Sequence, residues 1–187
     1  MPAPDPKDLG PLAALAGTWE GDQGLDISYH HAEGGIGETP YREKVELKPF
    51  GPVDNGKQQL FGLDYRAAMW RDDEENPFHT EIGYWLWDAA AGSVMRCFMV
   101  PRGSVVLAGG DATATDTKFE LRAEFGKFDF GVLSNPYLNG RAKVTGYECN
   151  VSADGATYTY SQTTWLDQDE AGGRFAHTDN ATCRKVG

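Results

Sequence analysis

The sequence predicts an all-β protein, about ten antiparallel strands with one short N-terminal helix, packed as a sandwich or closed into a barrel. Three observations carry that prediction. Segments with two-residue apolar/polar alternation recur along the chain. Gly and Asp-Gly turn signals separate them at short intervals. Beyond Gly17 no segment shows the 3.6-residue apolar period of a helix. Antiparallel strands without covering helices must bury their faces against one another, and closure also removes exposed edges.

The helix comes first. Asp8 is placed to cap a turn running through Leu12 and Leu15, and Gly17 to end it. Residues 1–10 are expected to form a flexible arm. The first strand, 18–26, opens on Leu15-Ala16-Gly17-Thr18-Trp19-Glu20-Gly21. A Trp between glycines suits the tapered closed end of a small barrel, because the indole fills the taper and the glycines admit neighbouring backbone. It also suits an ordinary β core. Residues 30–39 are glycine-rich and read as a mobile loop.

Strand 41–49 places Val45 and Leu47 inward, with Lys44, Glu46 and Lys48 in water. Strands follow near 58–70, 79–88, 93–100 and 104–109, punctuated by Gly92, Gly103 and Gly109-Gly110. Lys118 to Phe125 alternates most cleanly. Strands 141–152 and 157–166 flank the Asp154-Gly155 hairpin signal, and 173–185 closes the series. Between 127 and 140 lie Phe128, Phe130, Val132, Leu133, Tyr137 and Leu138, too apolar for a free loop. This insert is expected near the barrel mouth or along its wall, as a lid.

Length and composition fit one domain spanning 1–187. A chain of 187 residues, 40% hydrophobic, can bury a substantial core. A formal net charge of -11 without a basic run argues against nucleic acid and anionic membrane surfaces as partners. The three cysteines, Cys97, Cys149 and Cys183, are widely spaced, which suggests neither a thiolate zinc site nor a disulfide framework. Free thiols, no signal-peptide layout and no apolar stretch of bilayer length predict a cytoplasmic protein.

No nucleophile elbow, phosphate loop or dinucleotide fingerprint is present. The acidic clusters at 72–75 and 167–170 read as solvated turns. Four histidines remain. His30 and His31 fall in the glycine-rich loop, and His79 begins a strand. In the last strand the period of two puts Phe175, His177, Asp179, Ala181 and Cys183 on one face. An imidazole near a carboxylate on such a face suits a ring held through one nitrogen while the other meets a metal. It equally suits a His–Asp pair that only stabilises the strand.

The ordered set of Gly17-Thr18-Trp19-Glu20-Gly21, His79-Thr80-Glu81-Ile82-Gly83-Tyr84, Pro101 to Gly110 and the terminal His177 strand resembles the nitrobindin family. These are haem-binding barrels related in shape to fatty-acid-binding proteins, and the similarity runs from about residue 12 to 186. The resemblance implies a single ten-stranded up-and-down barrel holding haem b near its mouth. It implies His177 as the proximal iron ligand and His79 as a pocket residue on the opposite side. Trp19, Tyr84, Met99, Phe175 and Asp179 are then expected around the cofactor, with Arg102 or Arg66 meeting the propionates. The implied chemistry is nitric oxide binding and conversion of peroxynitrite to nitrate by ferric haem. Aligned from the chain end, Thr178 rather than His177 falls on the family's ligand position, so the ligand role calls for a β-bulge.

Two other functions use the same barrel. One is a non-enzymatic carrier of a small apolar ligand, with Tyr84, Trp85, Trp87, Phe98 and Phe130 as its wall and His79, His177 and Asp179 orienting a head group. The other is a metal-free enzyme with His177 and Asp179 as a general-base pair. Both faces of strand 79–88 are apolar, so the cavity side stays open, and an apolar outer stripe beside Trp85 would allow a homodimer.

Overall fold

The structure is a computed structural model and describes residues 3–187. Met1 and Pro2, the outermost part of the expected flexible arm, lie outside the described residues. Among the described residues, eleven strands close into one barrel. They are β1 (Gly17–His30), β2 (Gly35–Asn55), β3 (Gln58–Trp70), β4 (His79–Asp88), β5 (Ser93–Val100), β6 (Ser104–Asp111), β7 (Lys118–Phe125), β8 (Gly131–Ser134), β9 (Lys143–Ala153), β10 (Thr157–Gln168) and β11 (Gly173–Lys185). One short helix, α1 (Pro136–Arg141), precedes β9. Neighbours run β1-β11-β10-β9-β7-β8-β6-β5-β4-β3-β2 and back to β1. All pairings are antiparallel except the short contact of β7 with β8.

The eleventh strand lies inside the apolar insert. β6 and β7 pair directly only at Gly109 and Arg122. β8 fills the gap where they diverge, pairing with β6 through Ser104–Ser134, Val105–Leu133 and Val106–Val132. Four residues are too few to show alternation, which is why the sequence reading counts ten strands. Phe130 fixes the insert: its ring occupies the space a side chain at Gly109 would need, 2.2 Å from the position of such a Cβ. The expected loop at 30–39 is instead the tip of the β1–β2 hairpin, with Tyr29 opposite Ile36 and His30 opposite Gly35.

The closed end is built by residues 6–15. They form a 3-10 segment rather than an α-helix, because Pro6 and Pro11 remove backbone donors and Gly10, at φ 53°, kinks the run. Asp5, not Asp8, is the cap, accepting from Lys7 N at 3.1 Å. Leu9, Leu12 and Leu15 are buried, so from Pro6 onward the expected arm is packed. Trp19 is fully buried beneath them and donates Nε1–H to Leu15 O at 2.8 Å. Its ring meets Tyr158 edge-on at 5.9 Å. Trp85 and Trp87 face this core while Ile82 and Tyr84 stand half-exposed outside, which settles the cavity side of β4.

β1 carries a bulge at Gly21–Gly24, where its register shifts by one residue against both β2 and β11. β11 pairs with β10 without interruption from Gly173 to Arg184. The alternation read from sequence therefore holds along β11, with Phe175, Ala181 and Cys183 buried and Asn180 and Thr182 exposed.

Candidate functional site

At the end of the barrel opposite Trp19 lies a cavity of about 310 Å³. Its volume is at the lower end of the ~300–1,000 Å³ range of ligand pockets. Met69, Phe78, Leu138, Leu166 and Phe175 give it apolar walls. Asp26, His177 and Asp179 lie on one side, and His79 comes from β4. Tyr29, His31, Arg71, Arg102, Tyr137 and Arg141 also line it.

β11 brings His177 and Asp179 inward two residues apart, and β1 places Asp26 directly opposite Asp179 in the ladder. His177 Nε2 sits 2.5 Å from Asp26 Oδ2 and 3.6 Å from Asp179 Oδ2. Ser28 Oγ donates to the second Asp26 oxygen at 2.5 Å. Like charges directly across a ladder destabilise it, and the imidazole between them offsets that repulsion. Burial works against a charged His177, but the Asp26 hydrogen bond and the charges of Asp179 and Asp26 raise its pKa. Burial lifts Asp179 to about 6, with His177 pulling the other way and Asp26 adding to the rise. Burial also opposes ionisation of Asp26, yet the His177 hydrogen bond and charge hold its pKa below the ordinary value.

A second set of buried polar groups lies behind His79. His79 Nε2 is 3.2 Å from Glu81 Oε1. Glu81 Oε2 accepts from Tyr65 OH at 2.6 Å and from Arg96 Nη2 at 2.5 Å. Arg96 Nη1 donates to Gln162 Oε1 at 3.0 Å and to Tyr147 OH. Gln162 Nε2 reaches Asp179 Oδ2 at 3.4 Å. A continuous polar belt thus joins the two cavity histidines through residues from β4, β5, β10 and β11. The Arg96 guanidinium also lies over the rings of Tyr65, Trp85 and Phe98, at 5.0, 5.2 and 4.4 Å. Burial would raise the Glu81 pKa, but the Arg96 charge and the His79 and Tyr65 hydrogen bonds bring it down to about 2. His79 is opposed by burial and raised by Glu81.

His177, His79, Asp179, Phe175 and Arg102 all line the cavity. Four expected positions are corrected. Trp19 belongs to the closed end. Tyr84 and Met99 point outward, 50% and 45% exposed, because β4 and β5 turn their other faces to the interior. Arg66 pairs with Ile82 on the outer face of β3. The expected aromatic wall is likewise moved: Trp85, Trp87 and Phe98 fill the core below the cavity, and Phe130 packs on Gly109. The insert does reach the mouth, where Tyr137, Leu138 and Arg141 of α1 line the cavity. His30 is held by Thr39 Oγ1 at 3.1 Å, and only His31 of that pair lines the cavity.

Sequence reasoning missed Asp26, Glu81, Arg96 and Gln162 as site residues. Glu81 and Arg96 had a signal, since each sits on the apolar inward face of its strand, in His79-Glu81-Gly83-Trp85 and Val94-Arg96-Phe98. A charge in such a pattern is buried and partnered, or the alternation is wrong. Asp26 had none, because Gly24, Asp26 and Ser28 form no apolar stripe.

The donor set suits a tetrapyrrole iron. In the neutral ring with Nε2–H donating to Asp26, Nδ1 carries the lone pair, and no hydrogen bond to it is present among the described residues. Metal-bound imidazoles commonly hand their second nitrogen to a carboxylate in this way. Apolar walls fit a macrocycle, and arginines fit its carboxylates. Asp26, His177 and Asp179 each offer a ligand atom, all within 4.8 Å of one another.

The family described as the THAP4-like, heme-binding beta-barrel domain matches residues 8–185. The crystal structure of Rv2717c from M. tuberculosis shares the fold, with a TM-score of 0.68 at 21% identity over 96% of this chain and 98% of that one. No curated protein matches the chain.

Proposed function

The chain belongs to the THAP4-like, heme-binding β-barrel family, and from that membership we propose that it holds haem b in the mouth cavity, with His177 as the protein ligand to iron. The observation that supports this reading is the inward His177, held by Asp26 at 2.5 Å in a cavity with apolar walls. Bound there, haem supplies an iron centre able to bind nitric oxide and to convert peroxynitrite to nitrate. The protein's part is ligand basicity, pocket polarity and access.

Asp26 fixes the tautomer and orientation of His177, and Asp179 keeps a second negative group beside it. His79 offers a nitrogen into the cavity from the opposite strand set, and Glu81 favours its protonated form. A cationic donor there suits a small anionic ligand. Leu138, Phe78 and Phe175 would give a guest held there apolar surroundings. Adding haem to the purified protein is expected to give a Soret band that His177→Ala abolishes while His177→Ala remains folded. An unchanged band in the variant would remove His177 as the ligand.

A second reading, a carrier of a small apolar ligand with an anionic head, is favoured by one observation. Apolar walls from Met69, Phe78, Leu138, Leu166 and Phe175 meet arginines at the rim, a lining that also suits an apolar body with a carboxylate head. Native mass spectrometry of the protein as purified separates the two: a co-purified lipid supports the carrier, and a haem adduct supports the first reading.

A further inference from the structure

The rim of the cavity carries a charge pattern at odds with the rest of the molecule. The chain has 17 Lys and Arg against 28 Asp and Glu, yet three arginines from separate segments meet at this mouth. Arg71 follows β3, Arg102 sits in the β5–β6 turn, and Arg141 ends α1. The Arg71 side chain is held, and the backbone that carries the other two is tied together. The Arg71 guanidinium lies 4.5 Å from the centre of the Phe78 ring. Asn135 caps α1 by accepting from Leu138 N at 3.1 Å, and its Nδ2 donates to Arg102 O at 2.6 Å. Its backbone N donates to Gly103 O at 3.0 Å. The element bearing Arg141 is therefore tied to the turn bearing Arg102.

Among the described residues neither Arg102 nor Arg141 is paired with a carboxylate, and Arg71 has only Glu74 at 3.9 Å. The acidic groups of the cavity are Glu170 at its edge and Asp26 and Asp179 deeper, with the apolar walls between. A matching ligand has an apolar body and carboxylates at one edge. Guanidinium forks bind such groups in bidentate fashion.

Resting on the haem reading, we propose that Arg71, Arg102 and Arg141 form a carboxylate clamp that binds the two propionate arms and selects dianionic over neutral porphyrins. The insert at 127–140 then serves to deliver Arg141 to the rim.

The test titrates the apo protein with haemin and with haemin dimethyl ester, following Trp fluorescence quenching and the Soret band. The diacid is expected to bind about tenfold tighter at low salt, as a few partly exposed ion pairs allow. Added salt should weaken the diacid and leave the ester unchanged. In the Arg102→Gln/Arg141→Gln variant, both sites being exposed, the gap should close while the melting curve stays in place. Equal affinities at low salt in the wild type, or a gap that survives in the variant, would overturn the clamp while leaving haem binding intact. If neither porphyrin binds, the haem reading fails and the clamp with it.

Discussion

Removing Glu81 or Arg96 tests the buried belt behind His79. Both side chains are 3% exposed and lie 2.5 Å apart. Glu81 has a pKa of about 2 in the fold against an ordinary 4.5, a difference of about 2.5 units. At ~1.36 kcal/mol per unit this is about 3 kcal/mol of stability at neutral pH. Breaking one side of a buried ion pair costs ~3–5 kcal/mol, which agrees. Glu81→Gln is expected at the low end, because Arg96 keeps Tyr65, Gln162, Tyr147 and its ring contacts. Arg96→Met is expected to cost more, since Glu81 is then left buried with only His79 and Tyr65. The double variant Glu81→Gln/Arg96→Met should lose less than the sum of the singles, because no unpaired charge remains. Urea denaturation at pH 7 measures all three. At ~2–4 °C per kcal/mol for a chain of this size, Glu81→Gln should also lower Tm by about 6–12 °C. The folded pKa lies below the unfolded one, so the contribution is whole above about pH 4.5 and lost as pH falls toward about 2. Wild-type stability should fall through that window more steeply than that of Glu81→Gln. Additive losses in the double variant, or a single-variant cost under about 1 kcal/mol, would refute the pair as described.

Glu43 titrates in the opposite sense. Burial raises it to about 7, though Cys183 and Tyr160 donate to it at 3.1 and 3.0 Å. Its stabilising contribution is present below about pH 4.5 and lost as pH rises through 7, so Glu43→Gln should match wild type below about pH 4 and exceed it by about 2–3 kcal/mol at pH 8, read by urea midpoints. Gly109→Ala should displace the Phe130 ring, which its Cβ would approach to 2.2 Å; faster amide exchange over 131–141 with an otherwise protected barrel is the expected signature, and unchanged exchange would contradict it. Outside the barrel, Ile82, Met99, Val105 and Leu133 form one apolar row across β4, β5, β6 and β8. We expect a second copy to cover this row, so sedimentation should show a dimer that Met99→Glu converts to monomer, and a monomeric wild type would exclude it.

The parts legible in the sequence were those with a repeating apolar signal. β7 alternates Phe119, Leu121 and Ala123 inward with Glu120 and Arg122 outward, and nothing beyond that period is needed to place it. β8 was illegible because its order comes from two neighbours that diverge, a property of the closed sheet. The 3-10 segment misled for a local reason: Leu9, Leu12 and Leu15 have helix-like spacing, but Pro11 and the kink at Gly10 prevent an α-helix. In the site, His177 and Asp179 were found because they share a face within one strand. Asp26, 151 residues from His177 in sequence, was invisible, since only the β1–β11 ladder brings it within reach.

The bulge shows how a local irregularity decides the chemistry. Counting from the chain end puts Thr178 at the expected ligand position, and an extra residue within β11 would have been needed to turn His177 inward. β11 contains no such residue: its pairing with β10 keeps one register from Gly173 to Arg184. The irregularity lies instead in β1, between Gly21 and Gly24, where a Cβ on Gly24 would stand 2.2 Å from the Tyr41 ring. Below the bulge Glu20 faces Arg184, and above it Leu25 faces Asn180, so β1 slips by one residue against an unbroken partner. That slip puts Asp26 opposite Asp179, on the side of the sheet that His177 already faces. Without it Asp26 would oppose Thr178, the inward and outward faces of the two strands would be mismatched, and His177 would lose the carboxylate that holds its ring. Deleting Gln23 is therefore expected to remove the bulge yet keep the His177–Asp26 contact, because five steps from Glu20 then bring Asp26 opposite Asp179 in an unbroken ladder. Histidine side-chain NMR of the apo protein reads this directly: the short Asp26 bond should give a strongly deshielded Nε2 proton in both the wild type and the deletion, and its loss in the deletion would show that the register of β1 does not set the site.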